Sequence, residues 1–204
     1  VRGLVLVDVQ NDFMPFGSLP VDDGDAVVAV ANALMPRFEF VAASQDWHPA
    51  DHASFASSHP GSIPGDVVEL IGGSQVLWPD HCVQNLPGAS FHSGLDVAGI
   101  DAVVRKGVDR DIDSYSAFFD NGHLRDTGLA QLLASRGVNE VWLLGLATDY
   151  CVRWTALDAR ELGLACVVVK DGVRAVDLEP GDGDRALAEL AAAGCVITSA
   201  HAAL

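Results

Sequence analysis

Six short runs of apolar, mostly β-branched residues recur along this chain, and helical patterns fall between them. The runs are Gly3–Val7, Phe38–Ala43, Ala102–Arg105, Glu140–Gly145, Ala165–Val169 and Cys195–Thr198. A strand with one wet face alternates apolar and polar residues, whereas an almost unbroken apolar run fits a strand covered on both faces. Helical patterns at Asp25–Met35, Leu95–Ala98, Gly128–Ser135, Tyr150–Leu162 and Gly183–Ala193 supply that cover. The alternation predicts an α/β fold, a doubly wound and mainly parallel six-stranded sheet flanked by helices. Asp23 or Asp25 is placed to cap the first helix, and Thr127 the third. The 204 residues suit one domain spanning 1–204, with no repeat or linker to divide them.

Half of the residues are hydrophobic, enough for a sizeable core, and the formal net charge is −16. So acidic a surface repels phosphate backbones and anionic lipid heads, which argues against nucleic acid and membrane partners. No apolar run is long enough to cross a membrane, and the first residues lack the basic leader and apolar run of a secretory signal. The expectation is a cytoplasmic protein. The four cysteines, Cys82, Cys151, Cys166 and Cys195, are too few and too scattered for a disulfide scaffold. Cys166 and Cys195 lie in apolar strand runs and read as core. The sequence leaves room for a homo-oligomer.

Chemistry-bearing residues sit where the strands end. The first run leads straight into Asp8, the third into Lys106, and the fourth into a helix start that carries Cys151. Open α/β sheets bind ligands outside the carboxyl ends of their strands. Taken singly, Asp8 also reads as a turn cap, Lys106 as a solvated lysine, and Cys151 as a buried inert thiol. Taken together, they can meet in one site. A helix N-terminus and a nearby ammonium both favour thiolate, a carboxylate can take the thiol proton, and free N–H groups can hold an oxyanion.

Between the second and third runs lies a long segment, 44–95, rich in His, Pro, Gly and Asp. Such length without strong periodicity marks a functional loop region. Asp46 and His48 can point the same way on an extended segment, and His81 offers a third ligand. One carboxylate and two imidazoles with open positions suit a divalent metal, with Zn²⁺, Fe²⁺ or Mn²⁺ as the fits. Polar surface loops also produce this pattern. Asp51 and His52 read as partners that orient ligands or bound water. His59, His92, His123 and His201 have no such company and read as structural or exposed.

Beyond single motifs, the chain resembles the nicotinamidase/pyrazinamidase family, within the isochorismatase-like cysteine hydrolases. The matching segments are Leu6-Val-Asp-Val-Gln-Asn-Asp-Phe13, Gln45-Asp-Trp-His-Pro-Ala-Asp-His-Ala-Ser-Phe55, Trp78-Pro-Asp-His-Cys-Val-Gln84, Arg105-Lys-Gly107, Asp113-Ser-Tyr-Ser-Ala-Phe118 and Gly145-Leu-Ala-Thr-Asp-Tyr-Cys-Val152. They follow the family's order over about three quarters of the chain. The resemblance implies hydrolysis of a small carboxamide, nicotinamide or pyrazinamide, through a cysteine thioester, and a place in NAD salvage. It makes Cys151 the nucleophile, Asp8 the general base and acid, and Lys106 the third member. It makes Asp46, His48 and His81 the ligands of one divalent metal, Zn²⁺ before Fe²⁺ or Mn²⁺. It assigns the N–H groups of Ala147 and Cys151 to the oxyanion, and Phe13, Trp78, Tyr115 and Tyr150 to the walls around the ring. It also implies a cis peptide between Ala147 and Thr148. Two places depart from the family pattern: Phe16 stands where many relatives have glycine, and Asn85-Leu86 replaces Gly-Thr. The rival readings are another cysteine hydrolase of the same fold, acting on a different small amide, and a non-catalytic binding module. The full metal set argues against the first, and missing nucleotide-binding glycine motifs weaken the second.

Overall fold

The computed structural model describes residues 1–203. Its strands are β1 (Arg2–Val7), β2 (Phe40–Asp46), β3 (Val67–Leu70), β4 (Gly73–Val76), β5 (Ala102–Lys106), β6 (Glu140–Leu146), β7 (Ala165–Arg174) and β8 (Val196–Thr198). Its α-helices are α1 (Ala26–Leu34), α2 (Leu129–Ser135), α3 (Arg153–Glu161) and α4 (Asp182–Ala192). Six strands form one sheet in the order β5-β2-β1-β6-β7-β8, with every neighbouring pair parallel. All six apolar runs therefore supply strands of a parallel sheet, with β1 and β6 buried throughout their middles and the edge strands β5 and β8 partly exposed.

The period-two alternation of β1 shows how both faces are filled. Leu4 and Leu6 pack with Val27, Ala31 and Leu34 of α1. Val5 and Val7 pack on the other face with Leu129 and Leu133 of α2, Ala156 of α3 and Leu190 of α4. Each such side chain, fully removed from water, contributes about 1.5–3 kcal/mol. The strand order reverses between β1 and β6, so a crevice opens at their carboxyl ends. Among the described residues, no helix is long and apolar enough to cross a membrane.

Three local expectations change and one holds. The stretch at Leu95–Ala98 is only a 3-10 turn, Val97–Gly99, because so short a segment beside a glycine cannot offset the cost of helix nucleation. Asp25 precedes α1 without a side-chain cap, and Asp23 is drawn away to Arg174 at 3.0 Å. Thr127 does cap α2, accepting the Leu129 N–H at 3.2 Å. The long segment contains an unanticipated hairpin, β3 with β4, whose turn passes through Gly72 at φ 103°.

Phe16 adopts φ 75° and its side chain is fully exposed. The left-handed region costs a residue with a Cβ about 1–2 kcal/mol, while glycine loses extra chain entropy on folding. Phe16→Gly should therefore raise stability by about 0.5–1 kcal/mol net. Urea unfolding checks this, and an unchanged or lower midpoint would contradict it.

Candidate active site

Four strand ends converge on one buried ammonium. Lys106, the last residue of β5, places Nζ 2.8 Å from Asp8 Oδ2 and 3.3 Å from Cys151 Sγ, and donates to Asp46 Oδ1. It also donates to the Ser114 carbonyl at 2.9 Å. Burial alone would lower the Lys106 pKa, but Asp46 and Asp8 outweigh it and hold the ammonium well above its usual range. Asp8 follows β1 in the left-handed region, at φ 50°, a conformation aspartate tolerates better than most residues. That turn swings its carboxylate over the sheet edge, where Oδ1 accepts the Ser44 hydroxyl at 2.7 Å. Oδ2 is the oxygen that faces the Lys106 ammonium. Burial raises the Asp8 pKa, and Lys106 only moderates the rise.

Cys151 lies in a π turn, Thr148–Val152, that continues into α3. The Tyr150–Leu162 helix of the sequence reading is therefore split, because the Val152 N–H reaches back to the Ala147 carbonyl at 3.0 Å. The helix start and Lys106 are not the only influences on this thiol. Burial pushes the Cys151 thiol well up, the Asp8 and Asp46 carboxylates add to the rise, and Lys106 does not compensate. The cis peptide falls one bond earlier than expected, at Leu146–Ala147, directly on the last residue of β6.

Asp46, His48 and His81 form a compact buried cluster whose ligand atoms lie within 4.8 Å of one another. Asp46 Oδ2 stands 3.5 Å from His48 Nε2 and 3.8 Å from His81 Nε2. His48 Nδ1 bonds the Gly107 carbonyl at 2.9 Å, and His81 Nδ1 bonds the Pro79 carbonyl at 2.7 Å. A carbonyl can only accept, so each Nδ1 carries hydrogen and a neutral ring turns its Nε2 lone pair toward Asp46. Burial and the neighbouring His48 push the His81 pKa down to about 4. Gly107 makes this possible: at φ 60°, a Cβ there would come within 2.3 Å of His48 Cε1. A buried carboxylate and two imidazoles held by carbonyls are a donor set that fits a divalent metal. His52 stays outside the cluster, its ring tilted against His48 with centroids 4.3 Å apart and bonded to Ser54 at 2.7 Å. Asp51 plays no supporting part; it is exposed and paired with Arg110.

A cavity lies above Cys151, lined by Phe13, Trp78, Tyr115, Tyr150, Ala147, Asp46 and His81. Every proposed wall residue is therefore present, and Ala147 borders the same space as the thiol. Trp78 and Tyr150 meet edge to face at 4.8 Å, and Tyr115 meets Tyr150 at 5.4 Å. Leu19, Val176 and Asp113 also line it, and the sequence reading assigned none of them. Gln75, on the unanticipated hairpin, donates to the Tyr115 hydroxyl at 2.8 Å and braces that wall. Asp113 was visible within a quoted motif; Leu19 and Val176 carry no local signal.

The comparisons with known proteins agree with this geometry. The isochorismatase domain model matches residues 2–202. The nicotinamidase of Escherichia coli is 49% identical over 200 residues, covering 96% of this chain and 93% of that protein. A nicotinamidase/pyrazinamidase structure from Acinetobacter baumanii superimposes with a TM-score of 0.96 at 43% identity, covering 100% of this chain and 98% of that one. The pyrazinamidase of Pyrococcus horikoshii in complex with zinc superimposes with a TM-score of 0.78 at 35% identity, covering 97% and 98%. With its six-stranded parallel sheet and with Asp8, Lys106 and Cys151 gathered at the strand ends, the chain belongs to the isochorismatase domain family.

Proposed function

We propose that this protein hydrolyses the carboxamide of nicotinamide, and of pyrazinamide, to carboxylate and ammonia through a thioester on Cys151. The observation that carries the reading is the Lys106 ammonium in contact with Asp8, Asp46 and Cys151 beneath an aromatic-walled cavity. The nicotinamidase relatives support the substrate, and the zinc-bound relative supports a divalent metal, with Zn²⁺ first.

Asp8, made basic by burial, takes the proton from the Cys151 thiol, and sulfur attacks the carboxamide carbon. Lys106 stabilises both the carboxylate and the sulfur anion in turn. The N–H groups of Ala147 and Cys151 receive the oxyanion. Asp8 returns its proton to nitrogen, and ammonia leaves a thioester. Asp8 then deprotonates water, hydroxide adds to the thioester, the sulfur departs and takes the proton back from Asp8, and the product acid releases its own proton to solvent as it leaves as carboxylate. Phe13, Trp78, Tyr115 and Tyr150 hold the ring and exclude bulk water. Asp46, His48 and His81 would hold the metal, which supplies an open position for a ring nitrogen. The test is ammonia release from a panel of amides, with metal content measured on the same preparation. No release from either amide would refute the reading.

Lys106→Ala should raise the pH at which iodoacetamide alkylates Cys151, since a neighbouring cation favours thiolate over thiol. The substitution also leaves two buried carboxylates unpaired, so circular dichroism must first establish that the variant folds. An alkylation profile with the same inflection as the native protein would remove Lys106 from the triad.

A further inference from the structure

A second cavity, of about 250 Å³, opens beside α3 and is bordered by Tyr115, Asn121, His123, Trp154 and Asp158. Asp158 and Glu161 are three residues apart on α3 and share a face. His123 comes from a loop far away in sequence. The Asp120 carboxylate folds that loop by accepting the N–H groups of Gly122, Leu124 and Arg125 at 3.1, 2.8 and 3.0 Å. The His123 ring stacks on Phe119 at 4.8 Å and brings Nε2 to 3.3 Å from Asp158 Oδ1. One ligand atom each from His123, Asp158 and Glu161 then lies within 4.8 Å of the other two. His123 thus has the company that its sequence neighbours did not reveal.

A surface acidic cluster alone would mean little. Here, however, Asp158 is 97% buried, lines the cavity, and has one carboxylate oxygen, Oδ2, with no hydrogen-bond partner. Burial raises the Asp158 pKa, and Ser116 and His123 only moderate the rise. A buried carboxylate oxygen without a donor is costly, and the like charge of Glu161 beside it adds to the cost. A cation among the three side chains would relieve both. One imidazole and two carboxylates suit a borderline divalent ion, and the net charge of −16 concentrates cations at the surface.

We propose that His123, Asp158 and Glu161 bind a second divalent cation of the zinc or manganese class, separate from the one at Asp46, His48 and His81. The cation would tie α3, which continues from the Cys151 turn, to the loop whose Asn121 accepts the Tyr115 N–H at 2.9 Å. It would thereby brace two walls of the substrate cavity.

The test is Zn²⁺ stoichiometry by equilibrium dialysis and calorimetry, which does not depend on amide hydrolysis. The native protein should take up two ions per chain, and the His123→Ala, Glu161→Gln double variant one. Both of those side chains are exposed, so the fold should survive. In a His48→Ala background, adding the double variant should remove one further ion. A native stoichiometry of one, or equal uptake with and without the double substitution, overturns the proposal and leaves the amidase reading untouched.

Discussion

Cys151→Ala should abolish ammonia release while leaving the fold and ligand binding largely intact. Loss of a covalent nucleophile that acts as a unit with its base costs on the order of 10⁴–10⁶-fold in turnover. The structure makes the substitution mild in every other respect. Cys151 is buried against Val152, Ala156 and the apolar face of β6, so exchanging sulfur for hydrogen leaves a small gap and no orphaned polar group. Lys106 keeps its contacts with Asp8, Asp46 and the Ser114 carbonyl. Calorimetry with nicotinate should therefore still give binding where the ammonia assay reads nothing. Native-like turnover in the alanine variant would eliminate Cys151 as the nucleophile.

The same residues show what a sequence can and cannot disclose. The strands were legible because a parallel sheet covered on both faces requires unbroken apolar runs, as in β1 and β6. Asp8, Lys106 and Cys151 were legible because each follows such a run, and strand direction sends every carboxyl end to one edge. The upward push on the Cys151 thiol was not legible. A helix start and a lysine point to thiolate, but the thiol answers to the depth of burial and to two carboxylates from β1 and β2. Desolvation is a property of the assembled site, and no local motif encodes it. The hairpin escaped notice for a related reason: Val67–Leu70 and Gly73–Val76 are short and half exposed, so their alternation is faint. With it went Gln75, whose role depends on a tyrosine forty residues away. The pairing of His123 with Asp158 is likewise tertiary, made by an aspartate-folded loop reaching a helix.

The largest effect on substrate choice should come from the metal ligands. Asp46, His48 and His81 offer three donors, too few to close an octahedral shell, so a bound metal would keep positions for other ligands, and Asp46 and His81 line the cavity that also contains Cys151. A pyridine nitrogen can fill one of those positions. Benzamide has the same carboxamide and nearly the same shape but lacks that nitrogen. Nicotinamide should therefore be strongly preferred in the metal-loaded protein, because a ring held at one end presents its carbonyl to sulfur in a fixed pose. Small misplacements of a reacting group can cost about 10²-fold. Chelation, or His48→Ala, should lower kcat/KM for nicotinamide by about that factor and bring it near the benzamide value. Alkylation of Cys151 should persist, since Lys106 keeps its contacts with Asp8 and the sulfur. The comparison to make is kcat/KM for the two amides, with and without metal, alongside the alkylation rate. Equal hydrolysis of both amides, unchanged by chelation, would replace the metal-anchored reading with that of a generic cysteine amidase on this fold.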